Sequence, residues 1–142
     1  MRVVLDSNIY ISALTLPGGR ANAALEAAVE GRVVVLLSEP LLGEILRVLG
    51  RKFSVDTEEL SRTALFLSEL AEHIVPRRRI DVLTDDPDNR VLECAIAGRA
   101  TWIVTGDREL LKYQKLYYEC FIRTRRQRYL PAQLLGLDRD AR

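Results

Sequence analysis

Short runs of aliphatic, mostly β-branched residues punctuate this chain, and each is separated from the next by apolar residues at helical spacing. Val33 to Leu37 is the clearest of these runs. It has no polar alternation, which is the pattern of a strand buried on both faces. Arg2 to Leu5, through its Val-Val-Leu run, and Trp102 to Val104 read as further strands. Between them, Ala21, Ala24, Leu25, Ala28 and Val29 form the first helical repeat, with Gly31 suited to its end. Leu41, Leu42, Ile45, Leu46 and Leu49 form a second stripe. Ser38 is placed to cap it, and Glu39 and Pro40 fall in its first turn.

Asp56 and Glu59 resemble a capping box, opening a helix that carries Leu60, Ala64, Leu67, Leu70 and Ala71. Ile74 and Val75 are expected as a short strand. Asp86 and Pro87 start another helix, with Val91, Leu92, Ala95 and Ile96 facing inward and Gly98 at its end. Glu109 to Tyr113 reads as a short helix, Phe121 and Ile122 as a last strand, and Pro131 to Leu135 as a final helical turn. Strands alternating with helices predict an α/β fold, a three-layer sandwich around a central parallel sheet of four to five strands. At 142 residues the chain suits one domain, residues 1–142.

Composition narrows the function. Apolar residues at 48% and charged residues at 29% are globular values, and a net charge of +1 carries no global nucleic-acid or membrane signal. The opening residues read as a strand rather than a leader, and no apolar run reaches membrane-spanning length. Cys94 and Cys120 match no metal spacing and are expected as buried free thiols in a reducing cytoplasm. With His73 as the single histidine, nucleophile–histidine and histidine–metal schemes have little to work with. There is no Walker loop and no G-x-G-x-x-G, so a nucleotide cofactor is disfavoured.

The carboxylates remain. V-V-L-D-S-N, Val3 to Asn8, drives an apolar run straight into Asp6, and W-I-V-T-G-D, Trp102 to Asp107, repeats the device. In an open parallel sheet, ligands bind beyond the carboxyl ends of strands. Asp6 and Asp107 both fall there. Glu44 borders the apolar stripe of its helix, and Asp88 lies one turn before Val91 and Leu92, on the sheet side of a helix N-terminus. Each has a bland reading: a turn contact for Asp6, a cap for Asp107, a solvated side chain for Glu44, a helix-dipole contact for Asp88. D-P-D-N-R does not fit a calcium loop, since Arg90 stands where an oxygen ligand belongs. Carboxylates converging on one edge repel unless a cation joins them. Oxygen ligands suit Mg²⁺ or Mn²⁺, ions that activate water for phosphodiester cleavage.

V-V-L-D-S-N, L-S-E-P-L-L-G-E-I-L, D-P-D-N-R-V-L-E-C-A and I-V-T-G-D-R-E-L-L, taken in order over residues 1 to 113, resemble the motifs of PIN-domain proteins. The likeness is to members read as toxins of toxin–antitoxin pairs, relatives of the VapC ribonucleases. The resemblance implies a Mg²⁺- or Mn²⁺-dependent endoribonuclease with Asp6, Glu44, Asp88 and Asp107 as its acidic quartet and metal ligands. Ser7 and Thr105 match polar positions beside the metal, and Glu109 a further acidic one. It also implies a homodimer and a small protein antitoxin. The departure is R-T-R-R-Q-R-Y, Arg123 to Tyr129, more basic than the family pattern. Arg125 and Arg126 are candidate RNA contacts there, and Arg77 to Arg79 form a second basic cluster. The rival readings are a catalytically idle RNA- or protein-binding module and a metal-dependent phosphatase. A closed pocket would favour the phosphatase; an open groove flanked by arginines would favour the nuclease.

Overall fold

The computed structural model describes residues 1–16, 18–81, 86–105 and 121–124. The element order is β1 (Arg2–Leu5), α1 (Ser7–Thr15), α2 (Arg20–Val29), β2 (Val34–Ser38), α3 (Glu39–Lys52), α4 (Thr57–Leu70), β3 (Glu72–Ile74), α5 (Asp86–Ala97), β4 (Trp102–Thr105) and β5 (Phe121–Thr124). The strands form one sheet in the order β3-β2-β1-β4-β5, and every pairing is parallel. This is the α/β sandwich expected, with five strands among the described residues. The helices expected over Glu109 to Tyr113 and Pro131 to Leu135 lie outside those residues.

β1 occupies the middle of the sheet, with β2 on one side and β4 on the other. Val3, Val4 and Leu5 are almost wholly buried, as are Val35, Leu36 and Leu37 on β2. That burial is why neither run alternates. α5 packs over β1, β2 and β4, with Val91, Leu92 and Ala95 in the core. Capping follows the sequence closely. The Ser38 hydroxyl accepts from the Leu41 N–H at 3.4 Å, and Asp56 Oδ1 accepts from the Glu59 N–H at 2.8 Å. Gly31, at φ 73°, closes α2 in the left-handed conformation that glycine adopts without cost.

Three details differ from expectation. Helix α1 is missing from the spacing-based reading. Its polar strip of Asn8, Ser12 and Thr15 is narrow, and Ser7, Ile9, Tyr10, Ile11 and Ala13 are buried, so over nine residues the period is only weakly marked. β3 covers Glu72–Ile74 rather than Ile74 and Val75, and Val75 is 71% exposed. β3 is an edge strand, so its pairing with β2 (Leu36 with Glu72, Ser38 with Ile74) decides its limits, not its β-propensity.

Gly98 does follow α5, but its role is close approach. The left-handed residue there is Arg99, at φ 52°. A Cβ on Gly98 would lie 2.7 Å from Leu36 Cδ1, 3.1 Å from the Cys94 carbonyl oxygen and 3.2 Å from Ile74 Cδ1. Gly98→Ala is therefore expected to cost about 1–3 kcal/mol by overpacking. Urea unfolding checks this, and an unchanged midpoint would show that the Leu36 and Ile74 side chains move aside freely.

Candidate active site at the carboxyl edge of the sheet

Asp6 directly follows β1. Its backbone N–H donates to the Val104 carbonyl at 2.9 Å, extending the pairing with β4 by one residue. It occupies the N-cap of α1, and its carbonyl accepts from the Ile9 N–H at 2.9 Å. An aspartate at that position usually turns its carboxylate onto the helix's first N–H groups. Here the side chain makes no such bond. Instead Oδ2 accepts from the Thr105 hydroxyl at 2.7 Å, and Oδ1 accepts from the Ser7 hydroxyl at 3.3 Å. Asp6 is only 1% exposed, and Thr105 and Ser7 are buried with it. A buried carboxylate is costly unless hydrogen-bonded. The hydroxyl at the end of β4 and the N-terminal end of α1 lower that cost.

Asp88 lies in the first turn of α5 and is 4% exposed, with Asn89 fully buried beside it. The direction of α5 follows from its ends. Past Ala97 the Gly98 carbonyl accepts from Arg2 Nε at 2.9 Å, and the Thr101 N–H donates to the Arg2 carbonyl at 2.7 Å. The helix therefore ends at the start of β1, and its N-terminus points toward the edge where Asp6 sits. Glu44 lies in the second turn of α3, which likewise begins at that edge, after β2. It is about one-fifth exposed and forms an ion pair with Arg47. Asp107, Glu109, Arg125 and Arg126 lie outside the described residues. Among the described residues, no three His, Cys, Asp or Glu side chains gather as a metal site. The donor set at this edge nonetheless fits a hard divalent ion: two buried carboxylates and two hydroxyls, all oxygen.

Sequence reasoning missed a second polar arrangement on α5. Arg90 and Glu93 keep only 11% and 6% of their side-chain surface exposed. Arg90 Nε lies 3.1 Å from Glu93 Oε2 as an ion pair, off the line of a hydrogen bond. Both residues grip the chain before the helix. Glu93 Oε1 accepts from the Ile80 N–H at 2.6 Å, and Arg90 donates to the Ile80 carbonyl at 2.8 Å. Arg90 also lies 3.3 Å from Asp86, the first residue of α5, and Arg79 lies 3.7 Å from the same carboxylate. The available signal was an arginine and a glutamate three apart, on a helix whose apolar stripe flanks them both.

Cys94 is a free, fully buried thiol, as expected. Burial pushes its pKa up to about 12, against a smaller opposing effect of hydrogen bonding with Ser38. It is held as an inert thiol rather than a nucleophile. Cys120 lies outside the described residues. Tyr10 is 1% exposed, and its hydroxyl has no hydrogen-bond partner among the described residues. Removing an unsatisfied buried hydroxyl relieves its desolvation cost. Tyr10→Phe is thus expected to raise stability by about 1 kcal/mol in thermal unfolding. A loss of stability would mean that the hydroxyl is bonded in solution.

A parallel α/β sandwich with buried carboxylates at the carboxyl edge of its central strands defines the class. Residues 2–109 match the PIN domain. The chain belongs to the PIN domain family, whose members are generally nucleases that use divalent metal ions. It is 30% identical over 115 residues to the uncharacterized protein MJ1680 of Methanocaldococcus jannaschii, spanning 78% of this chain and 74% of that protein. A chain in the crystal structure of VapBC2 from Rickettsia felis, bound to a DNA fragment from their promoter, has the same fold. The TM-score is 0.56 at 18% identity, over 87% of this chain and 98% of that one. No helix among the described residues is long and apolar enough to cross a membrane.

Proposed function

We propose that this protein is a metal-dependent endoribonuclease, with Asp6, Asp88 and Asp107 holding Mg²⁺ or Mn²⁺ and Glu44 binding the metal or its water. One observation carries the reading: Asp6 is buried at the N-cap of α1, yet its carboxylate is turned away from capping and toward Thr105 at the end of the neighbouring strand. A capping aspartate stabilises its own helix, so an aspartate that forgoes the cap is held for something else. A divalent ion bound there supplies water of lowered pKa and neutralises developing charge at the phosphate. The chain's own part is orientation. Thr105 and Ser7 hold the Asp6 carboxylate in one rotamer, and the first turn of α5 carries Asp88 toward the same edge. No histidine base is required.

By likeness to the VapBC2 fold and to the PIN family, the protein is the toxin of a toxin–antitoxin pair. It then pairs with a small protein antitoxin, acts in the cytoplasm and forms a homodimer, a state that light scattering of the purified protein tests. The nuclease reading is tested with a labelled single-stranded RNA and the purified chain. Cleavage is expected with Mn²⁺ or Mg²⁺ and none with excess EDTA. RNA binding without cleavage at any metal concentration would favour the idle module, and cleavage undiminished by EDTA would overturn the metal-dependent reading.

A further inference from the structure

Arg77, Arg78 and Arg79 lie between β3 and α5, and all three are exposed. Such a run is ordinarily a solvated loop. This one is anchored. Ile80, the next residue, is 5% exposed, and both of its backbone polar groups are held by α5: its N–H by Glu93 and its carbonyl by Arg90. Two hydrogen bonds, from the buried Glu93 and the part-buried Arg90 paired with it, fix the end of the arginine run against the helix that carries Asp88. Arg79 is drawn toward Asp86 at 3.7 Å. Among the described residues, Arg77 and Arg78 have no acidic partner. Even fully extended, their Cα atoms lie within about 11 Å and about 7 Å of the Ile80 Cα. They are therefore tethered within that reach of a residue that α5 holds on both sides.

The acidic edge itself repels an RNA backbone, so cationic groups are needed beside it to bring phosphates in. We infer that Arg77 and Arg78 are a phosphate-binding arm of the site, seated by the Ile80–Arg90–Glu93 clamp, which contacts two backbone phosphates of a single-stranded RNA. This inference rests on the nuclease reading. Guanidinium groups match phosphate oxygens in bidentate geometry. Each contact releases counterions and so registers in the salt dependence of binding.

The test is fluorescence anisotropy of a labelled uridine dodecamer in EDTA, across a series of NaCl concentrations. For R77A/R78A the slope of log affinity against log salt is expected to be shallower by about 1.4 units, near 0.7 per lost phosphate contact on a single strand. R77K/R78K should recover most of that slope, because the charge is kept. The exposed pair Arg51 and Lys52, at the far end of α3, serves as control, and R51A/K52A should leave the slope unchanged. A parent that binds RNA with the same slope as R77A/R78A overturns the arm and leaves the nuclease reading standing. A parent that neither binds the dodecamer nor cleaves RNA with Mn²⁺ overturns both.

Discussion

Asp6→Asn is expected to lower metal-dependent RNA cleavage by roughly a hundredfold to a thousandfold while leaving the fold intact. Charge stabilisation by a bound divalent ion contributes several kcal/mol to a phosphodiester transition state, and about 1.4 kcal/mol corresponds to each factor of ten. The substitution removes one negative charge and one oxygen donor. It keeps the shape of the side chain and an oxygen able to accept from Thr105. The apo protein should change little in stability, because relief of the buried charge's desolvation offsets the loss of its favourable contact with the N-terminus of α1. The response to metal should change. With ligand at a hundredfold its dissociation constant, binding to the native state alone adds about 2.7 kcal/mol. The parent's melting temperature should therefore rise on adding Mn²⁺, and the rise should be blunted in the variant. Cleavage at the parental rate, or a thermal shift of parental size, would exclude Asp6 as a ligand.

Glu93→Ala is expected to lower stability by about 3 kcal/mol, toward the low end for breaking a buried pair. Two effects combine. Arg90 keeps its part-buried guanidinium, with Asp86 as its remaining acidic neighbour among the described residues. The Ile80 N–H loses the carboxylate it donates to, and a stranded buried donor costs about 1–3 kcal/mol. Against a domain stability of about 5–15 kcal/mol, that is a large share. Glu93→Gln should cost less, since its amide oxygen still accepts from Ile80. Chemical unfolding in urea measures both. A loss below about 1 kcal/mol in Glu93→Ala would mean that the pair contributes no more than a surface one.

The candidate acids were legible in the sequence where a carboxylate coincides with the end of a strand or the start of a helix. Asp6 stood out because a run buried on both faces ends in an acid. Asp88 stood out because it falls one turn before the apolar positions of α5. The resemblance put Thr105 beside the metal position, but not its hydrogen bond to Asp6, because a contact between residues 6 and 105 depends on β1 and β4 being neighbours, and that is a property of strand order. The Arg90–Glu93 pair was invisible for a related reason. On a helical wheel it is an ordinary charged pair, and burial by the preceding segment converts it into a clamp.

By itself, the sequence determined what local spacing can carry: the parallel α/β class, the capping of α3 and α4, the central strands and the candidate acids at their ends. These follow from side-chain periodicity and from hydrogen bonds within a few residues. Only the tertiary structure decided the rest. Helix α1 shows only a narrow polar strip, Asn8, Ser12 and Thr15, because neighbours cover the rest of its surface. β3 takes its limits from pairing with β2. Gly98, just past α5, is required by two strand side chains, Leu36 on β2 and Ile74 on β3. Asp6 faces Thr105 instead of its own helix because the end of β4 lies beside it. In each case the deciding partner is distant along the chain, and only packing brings it into contact.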